Sequence, residues 1–113
     1  MSDPDTLRPR RPASTGARFE RLVEIMRTLR APDGCPWDRA QTLASLRPFV
    51  LEETYEVLDA LDREDLSDLR GELGDLLFQI VFLSQLTAEA DGFTIDDAVE
   101  AITDKLVRRH PHV

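Results

Sequence analysis

Residues 46–86 read LRPFVLEETYEVLDALDREDLSDLRGELGDLLFQIVFLSQL, and the placing of acids among the leucines decides the fold. Stepped at about 100° per residue around a helix, Leu46, Phe49, Val57 and Ala60 form one apolar arc. Glu53 falls in the middle of that arc, and Glu56 lies at its edge beside Phe49. After Leu66 the pattern thickens. Leu69, Leu73, Leu76, Leu77, Phe78, Ile80, Val81, Phe82, Leu83 and Leu86 surround the helix almost completely, which predicts a helix covered on most sides. Glu72 and Asp75 sit inside this surface, with Gln79 between them in projection. An isolated buried carboxylate is too costly to stay ionised, so it must be paired, neutralised or bound to a metal. Arg63 and Arg70, the nearest bases, cannot balance four or five acids.

Outward from this pair of helices the chain is punctuated clearly. Residues 1–16 hold three prolines, a glycine and several charges with almost no apolar residue, the composition of a disordered arm. A first helix is expected from about Ala17 to Arg30, with Phe19, Leu22, Val23, Met26 and Leu29 at helical spacing. Residues 31–38, APDGCPWD, break it. A second helical region runs from near Thr42 to Arg63. Pro48 is expected to divide it into a short piece and a continuous helix that starts at the proline. A third helix spans Leu66 to Ala90 and stops at Asp91-Gly92; a fourth opens at Thr94, ends near Arg109 and is closed by Pro111. Nothing alternates as a strand does, and nothing repeats. The expectation is an all-α four-helix bundle over residues 17–113 as one domain.

The length of 113 residues suits one modest core, and no apolar run approaches the roughly 20 residues of a membrane span. The first 18 residues hold no apolar signal segment, and the single Cys35 allows no internal disulfide, so a reducing cytoplasm is expected. The net charge of −8 is concentrated between Glu52 and Asp75, where ten acids face only Arg63 and Arg70. Such a stretch repels a nucleic-acid backbone and attracts divalent cations. Basic residues gather at the ends: Arg8, Arg10, Arg11 and Arg18, then Lys105, Arg108 and Arg109. Metal plus a phosphorylated small molecule fits this distribution; duplex DNA and membranes do not.

Glu53 and Glu56 are three residues apart, as are Glu72 and Asp75, so each pair shares a helix face. Two antiparallel neighbours could aim four carboxylates at one point. Hard oxygen ligands without thiolate or imidazole favour Mg²⁺, with Mn²⁺ as a substitute. The di-iron bundle pattern needs Glu-x-x-His, whereas His110 and His112 lie in the tail. Asp59, Asp62, Glu64, Asp65 and Asp68 read as a solvated face near a helix–helix loop. Glu52, at the flank of the arc, has three readings: ligand, base for an attacking water, or surface residue.

Glu52-Glu-Thr-Tyr-Glu56, followed after fifteen residues by Glu72-Leu-Gly-Asp75, resembles the EExxE…ExxD motif of the MazG family of nucleotide pyrophosphohydrolases. Gly34-Cys-Pro-Trp-Asp38 with Gln41-Thr42 before it extends the likeness. So do residues 70–78, RGELGDLLF, within it and residues 105–112, KLVRRHPH, after it.

The resemblance implies the fold of the all-α nucleoside triphosphate pyrophosphohydrolases, assembled as a homodimer or higher homo-oligomer. It implies Mg²⁺-dependent hydrolysis of nucleoside triphosphates to the monophosphate and pyrophosphate. Carried over by position, Glu53, Glu56, Glu72 and Asp75 match the metal ligands, and Glu52 and Glu53 are the candidate catalytic carboxylates. Lys105 and Arg109, four apart on one helical face and with Arg108 beside them, match positions expected to hold the triphosphate. Cations at a helix carboxyl end also suit the helix dipole without any ligand. Trp37 has two readings of equal standing, as a platform for the base or as a packing residue. An alternative for the whole chain is a catalytically weak dimerisation or regulatory domain that keeps the metal site.

Overall fold

The computed structural model describes residues 14–113. The arm expected over residues 1–16 lies outside these residues except for its last three, and two of those already belong to a helix. The order is α1 (Thr15–Arg30), α2 (Pro36–Arg39), α3 (Leu43–Asp62), α4 (Leu66–Glu89) and α5 (Ile95–Arg109). The four long helices are the expected ones, and no strand occurs among the described residues.

Each long helix opens on an oxygen-bearing cap that satisfies amide groups the first turn leaves free. Ser14 Oγ accepts from the Ala17 N–H at 3.1 Å, so α1 starts two residues earlier than expected. Thr42 and Ser45 cap α3 reciprocally: the Ser45 N–H donates to Thr42 Oγ1 at 3.1 Å and the Thr42 N–H to Ser45 Oγ at 2.8 Å. Asp65 receives the Asp68 N–H at 3.0 Å, and Thr94 and Asp97 form a second reciprocal box. Two turns are closed by left-handed residues, Glu64 (φ 54°) after α3 and Asp91 (φ 60°) after α4. At the second, the Gly92 N–H returns to the Thr87 carbonyl at 2.8 Å, which is why the Asp91-Gly92 pair stops the helix.

Two details depart from expectation. Residues 36–39 of the loop form a single helical turn, α2, with Pro36 in its first position. Pro48 does not divide α3, which is continuous from Leu43 to Asp62. The proline ring removes only the N–H that would reach the Ala44 carbonyl, and both residues are exposed, so water can take the vacant acceptor.

The packing is centred on α4, which contacts α1, α3 and α5. Val23 and Met26 of α1, Leu46 of α3, and Val81, Phe82 and Leu86 of α4 make the core. Phe78 meets Phe82 edge-on at 5.5 Å. All of these α4 residues lie beyond its midpoint. The expectation that α4 is covered on most sides therefore holds only from Val81 onward: Leu66, Leu73, Leu77 and Ile80 are exposed. The reason is geometric, since α1 and α5 meet the far end of α4 and only α3 runs beside its first half. A radius of gyration of 16.0 Å, against about 13 Å for a compact domain of 100 residues, expresses the same openness.

Candidate metal centre

The candidate metal centre lies where α3 and α4 run side by side without other cover. Glu53 of α3 and Glu72 and Asp75 of α4 each offer a carboxylate oxygen, and the three oxygens lie within 4.8 Å of one another. Glu53 and Glu72 are half-buried and Asp75 is exposed. Glu56 is exposed and outside this group of three, as is Glu52.

The local electrostatics follow from that crowding. The Glu53 carboxyl is pushed up to about 7. Burial is the chief cause, then the close approach of Glu72, to which a protonated Glu53 can donate, and then the charges of Asp75 and Glu56. Oxygen Oε2 of Glu53 is buried with no hydrogen-bond partner, and so is Oε1 of Gln79, one turn beyond Asp75 on the same face of α4. Unpaired buried acceptors call for donors or a cation. Among the described residues no lysine or arginine forms an ion pair with Glu53, Glu72 or Asp75. Three clustered carboxylate oxygens, with an unpaired buried oxygen on Glu53, fit a hard divalent cation. The acids read as a solvated face behave differently. Asp59, Asp65 and Asp68 converge on Arg63 in the α3–α4 turn at 3.0, 3.3 and 2.7 Å.

Of the other residues singled out in the sequence, Trp37 packs on α3. Its ring meets Phe49 edge-on at 5.6 Å, and Phe49 precedes Glu53 by one turn of α3. About half of the Trp37 surface remains open. Packing against the helices and an open face are thus both present in this one side chain. Lys105, Arg108 and Arg109 are exposed on α5, whose backbone approaches only that of α4. None of the three forms an ion pair with Glu53, Glu72 or Asp75 among the described residues.

Sequence reasoning passed over Phe49 as the partner of Trp37, because it read simply as part of an apolar arc. It also passed over Arg30, which in a last helical turn looks like an ordinary dipole partner. The signal for Gln79 was available: a polar side chain in projection between two candidate ligands.

The MazG nucleotide pyrophosphohydrolase domain pattern matches residues 41–113. The nucleoside triphosphate pyrophosphohydrolase of Escherichia coli K12 is 60% identical over 97 residues, 85% of this chain and 37% of that protein. The nucleoside triphosphate pyrophosphohydrolase/pyrophosphatase MazG of Thermotoga maritima is 49% identical over 98 residues, 87% of this chain and 38% of that protein. A Mycobacterium tuberculosis nucleoside triphosphate pyrophosphohydrolase is 43% identical over 106 residues, 89% of this chain and 32% of that protein. The chain thus spans about a third of the length of these curated relatives. The family match takes in α3, α4 and α5 whole, including every carboxylate of the centre, and on that ground the chain belongs to the MazG nucleotide pyrophosphohydrolase domain family.

Proposed function

We propose that this chain hydrolyses nucleoside triphosphates to the nucleoside monophosphate and pyrophosphate, with Mg²⁺ held by Glu53, Glu72 and Asp75 and with Glu56 joining them. The observation that carries this reading is the convergence of three carboxylate oxygens within 4.8 Å, one of them on a residue with an unpaired buried oxygen. Names of relatives add support, since those quoted above are nucleoside triphosphate pyrophosphohydrolases. A bound Mg²⁺ would supply charge neutralisation on the phosphates and a more acidic water. The chain's own part is to place carboxylates. Glu52, exposed and one residue from Glu53, is the carboxylate left to accept a proton from the attacking water. Water oxygen bonds to the α phosphorus, the bond to the bridging oxygen breaks, and pyrophosphate leaves. Trp37 offers its open face to the base.

Lys105, Arg108 and Arg109 reach the triphosphate from a second copy of the chain in this reading. The support is the exposure of α5, which buries no residue of its own and presents Val99, Ile102 and Leu106 to the outside. Leu51, Tyr55 and Leu58 of α3 are exposed as well. A homodimer covers both surfaces. No described helix is long and apolar enough to cross a membrane, and a single free Cys35 suits a reducing cytoplasm.

Product analysis of the 113-residue chain with a panel of nucleoside triphosphates, with and without Mg²⁺, tests the proposal. Monophosphate and pyrophosphate formed only with metal is the expected result. Diphosphate and orthophosphate would show the wrong bond assigned. A folded, metal-binding sample without turnover favours the second reading, a dimerisation or regulatory domain, for which the exposed apolar faces of α3 and α5 are the specific support.

A further inference from the structure

Arg30 ends α1, away from the carboxylates, yet its guanidinium engages five acceptors. Nε and Nη2 donate to Glu89 Oε2 and Oε1 at 3.0 and 2.5 Å. Nη1 donates to the backbone carbonyls of Asp38 at 2.8 Å, Arg39 at 2.9 Å and Gln41 at 3.4 Å. The side chain is 13% exposed. Gln85 steadies the carboxylate by donating to Glu89 Oε2 at 3.0 Å. One planar fork thus ties the ends of α1 and α4 to the end of α2 and the link that joins it to α3.

That segment is tied from its other side by Gln41. Its Nε2 donates to the Trp37 carbonyl at 2.9 Å, and its Oε1 accepts from Ser45 Oγ at 2.7 Å, inside the α3 cap. Trp37 is therefore fixed at its backbone by a chain of contacts that starts at Glu89, and its ring rests on Phe49 at 5.6 Å. Phe49 is four residues before Glu53, about 6 Å along the helix. A cation in a last turn needs only the helix carbonyls to be satisfied. A grip on three carbonyls of the following loop and on a carboxylate of another helix goes well beyond that. Lysine, a point charge with three donors, cannot reproduce it.

We infer that Arg30 is a positioning residue for the base of the substrate: by clamping residues 38–41 to Glu89 it holds Trp37 against Phe49 beside the metal centre. The inference rests on the proposal that this centre takes a nucleoside triphosphate. Arg30 pairs with Glu89 and with none of Glu53, Glu72 and Asp75, so its loss acts at the base end and leaves those carboxylates alone.

The test uses Arg30→Lys, Arg30→Met, Trp37→Ala and Arg30→Lys combined with Trp37→Ala, in the 113-residue chain. Arg30→Lys is expected to raise KM for a purine nucleoside triphosphate about tenfold, the scale of one lost base stack, with kcat within about twofold. Mn²⁺ affinity should stay unchanged, and acrylamide should quench Trp37, the single tryptophan, more readily. In the Trp37→Ala background the same change should add nothing to KM. An unchanged KM for Arg30→Lys, or an equal increment in both backgrounds, overturns the inference. Should Arg30→Met fail to fold, Arg30→Lys and Glu89→Gln carry the same comparison. Wild-type protein without turnover overturns the parent reading and this one with it. Turnover with an unmoved KM overturns this one alone.

Discussion

Glu53 on α3 and Asp75 on α4 hold carboxylate oxygens within 4.8 Å of each other across the helical hairpin, with Glu72 inside the same radius. Two unit charges at that distance repel by about 3 kcal/mol at an effective dielectric constant of about 20. The hairpin brings no lysine or arginine to relieve it among the described residues. Either a proton or a cation must enter, and the raised Glu53 carboxyl is the proton's answer.

Metal-free protein should lose stability as pH rises through about 7. The ordinary Glu53 value of 4.5 becomes about 7 in the fold, so the folded state holds the proton more tightly. That contribution is complete below 4.5 and is lost as pH climbs through about 7. Saturating Mg²⁺ replaces the proton and should abolish the decline. Thermal melting between about pH 5 and pH 8, with and without Mg²⁺, reads this directly. A melting temperature that is indifferent to metal at the upper end would count against the centre.

The carboxylates should not be equal. Glu53→Gln and Asp75→Asn remove members of the group of three, and each is expected to cost more than the roughly 10–100-fold typical of outer-shell partners of a metal. Glu56 is exposed and outside that group, so as a ligand that joins the other three Glu56→Gln should cost less than either, roughly 10–100-fold. Steady-state rates at saturating Mg²⁺ check the ranking, and a Glu56 variant as damaged as Glu53→Gln would reverse it.

Gly34 explains the first letter of the GCPWD run. A Cβ there would press on the Leu29 and Thr28 carbonyl oxygens at the end of α1, both backbone atoms that cannot swing aside. The Cys35 N–H also returns to the Leu29 carbonyl at 2.9 Å, which holds the chain close to α1. Gly34→Ala should therefore destabilise by about 1–3 kcal/mol, the range for overpacking, and shift Trp37 emission as the loop moves. Chemical denaturation followed through Trp37 measures both. A variant with native stability and an unmoved spectrum would show that the turn relaxes freely.

Much of this was legible because helices write their period into the sequence. Caps at Thr42 and Thr94 and the stop at Asp91-Gly92 are local chemistry, visible before any packing is known. Glu53 stood out because a carboxylate replaced the expected apolar residue on an inner face. Burial was harder to read. The apolar surface around Leu73, Leu77 and Ile80 implied cover, but hydrophobicity does not say whether the cover belongs to the same chain. Arg30 was illegible for a related reason: its partner Glu89 is 59 residues away and meets it only once α4 has packed on α1.

The exposed cations of α5 lead to a test by mixing. Lys105 and Arg109 sit on α5, which buries none of its residues and whose backbone nears only α4, while Glu53 sits on α3. If a partner copy brings its α5 across, each site joins the carboxylates of one chain to the cations of the other. Glu53→Gln and a Lys105→Ala, Arg109→Ala double variant should each be nearly inactive alone. Unfolded and refolded together in equal amounts, they should recover about one quarter of the wild-type rate, because half the dimers are mixed and each mixed dimer keeps one intact site. The cation variant alone should keep its Mn²⁺ affinity, since it touches no carboxylate. Failure to recover activity from a sample shown to contain mixed dimers would place the cations in the chain that holds the metal, or outside the site altogether.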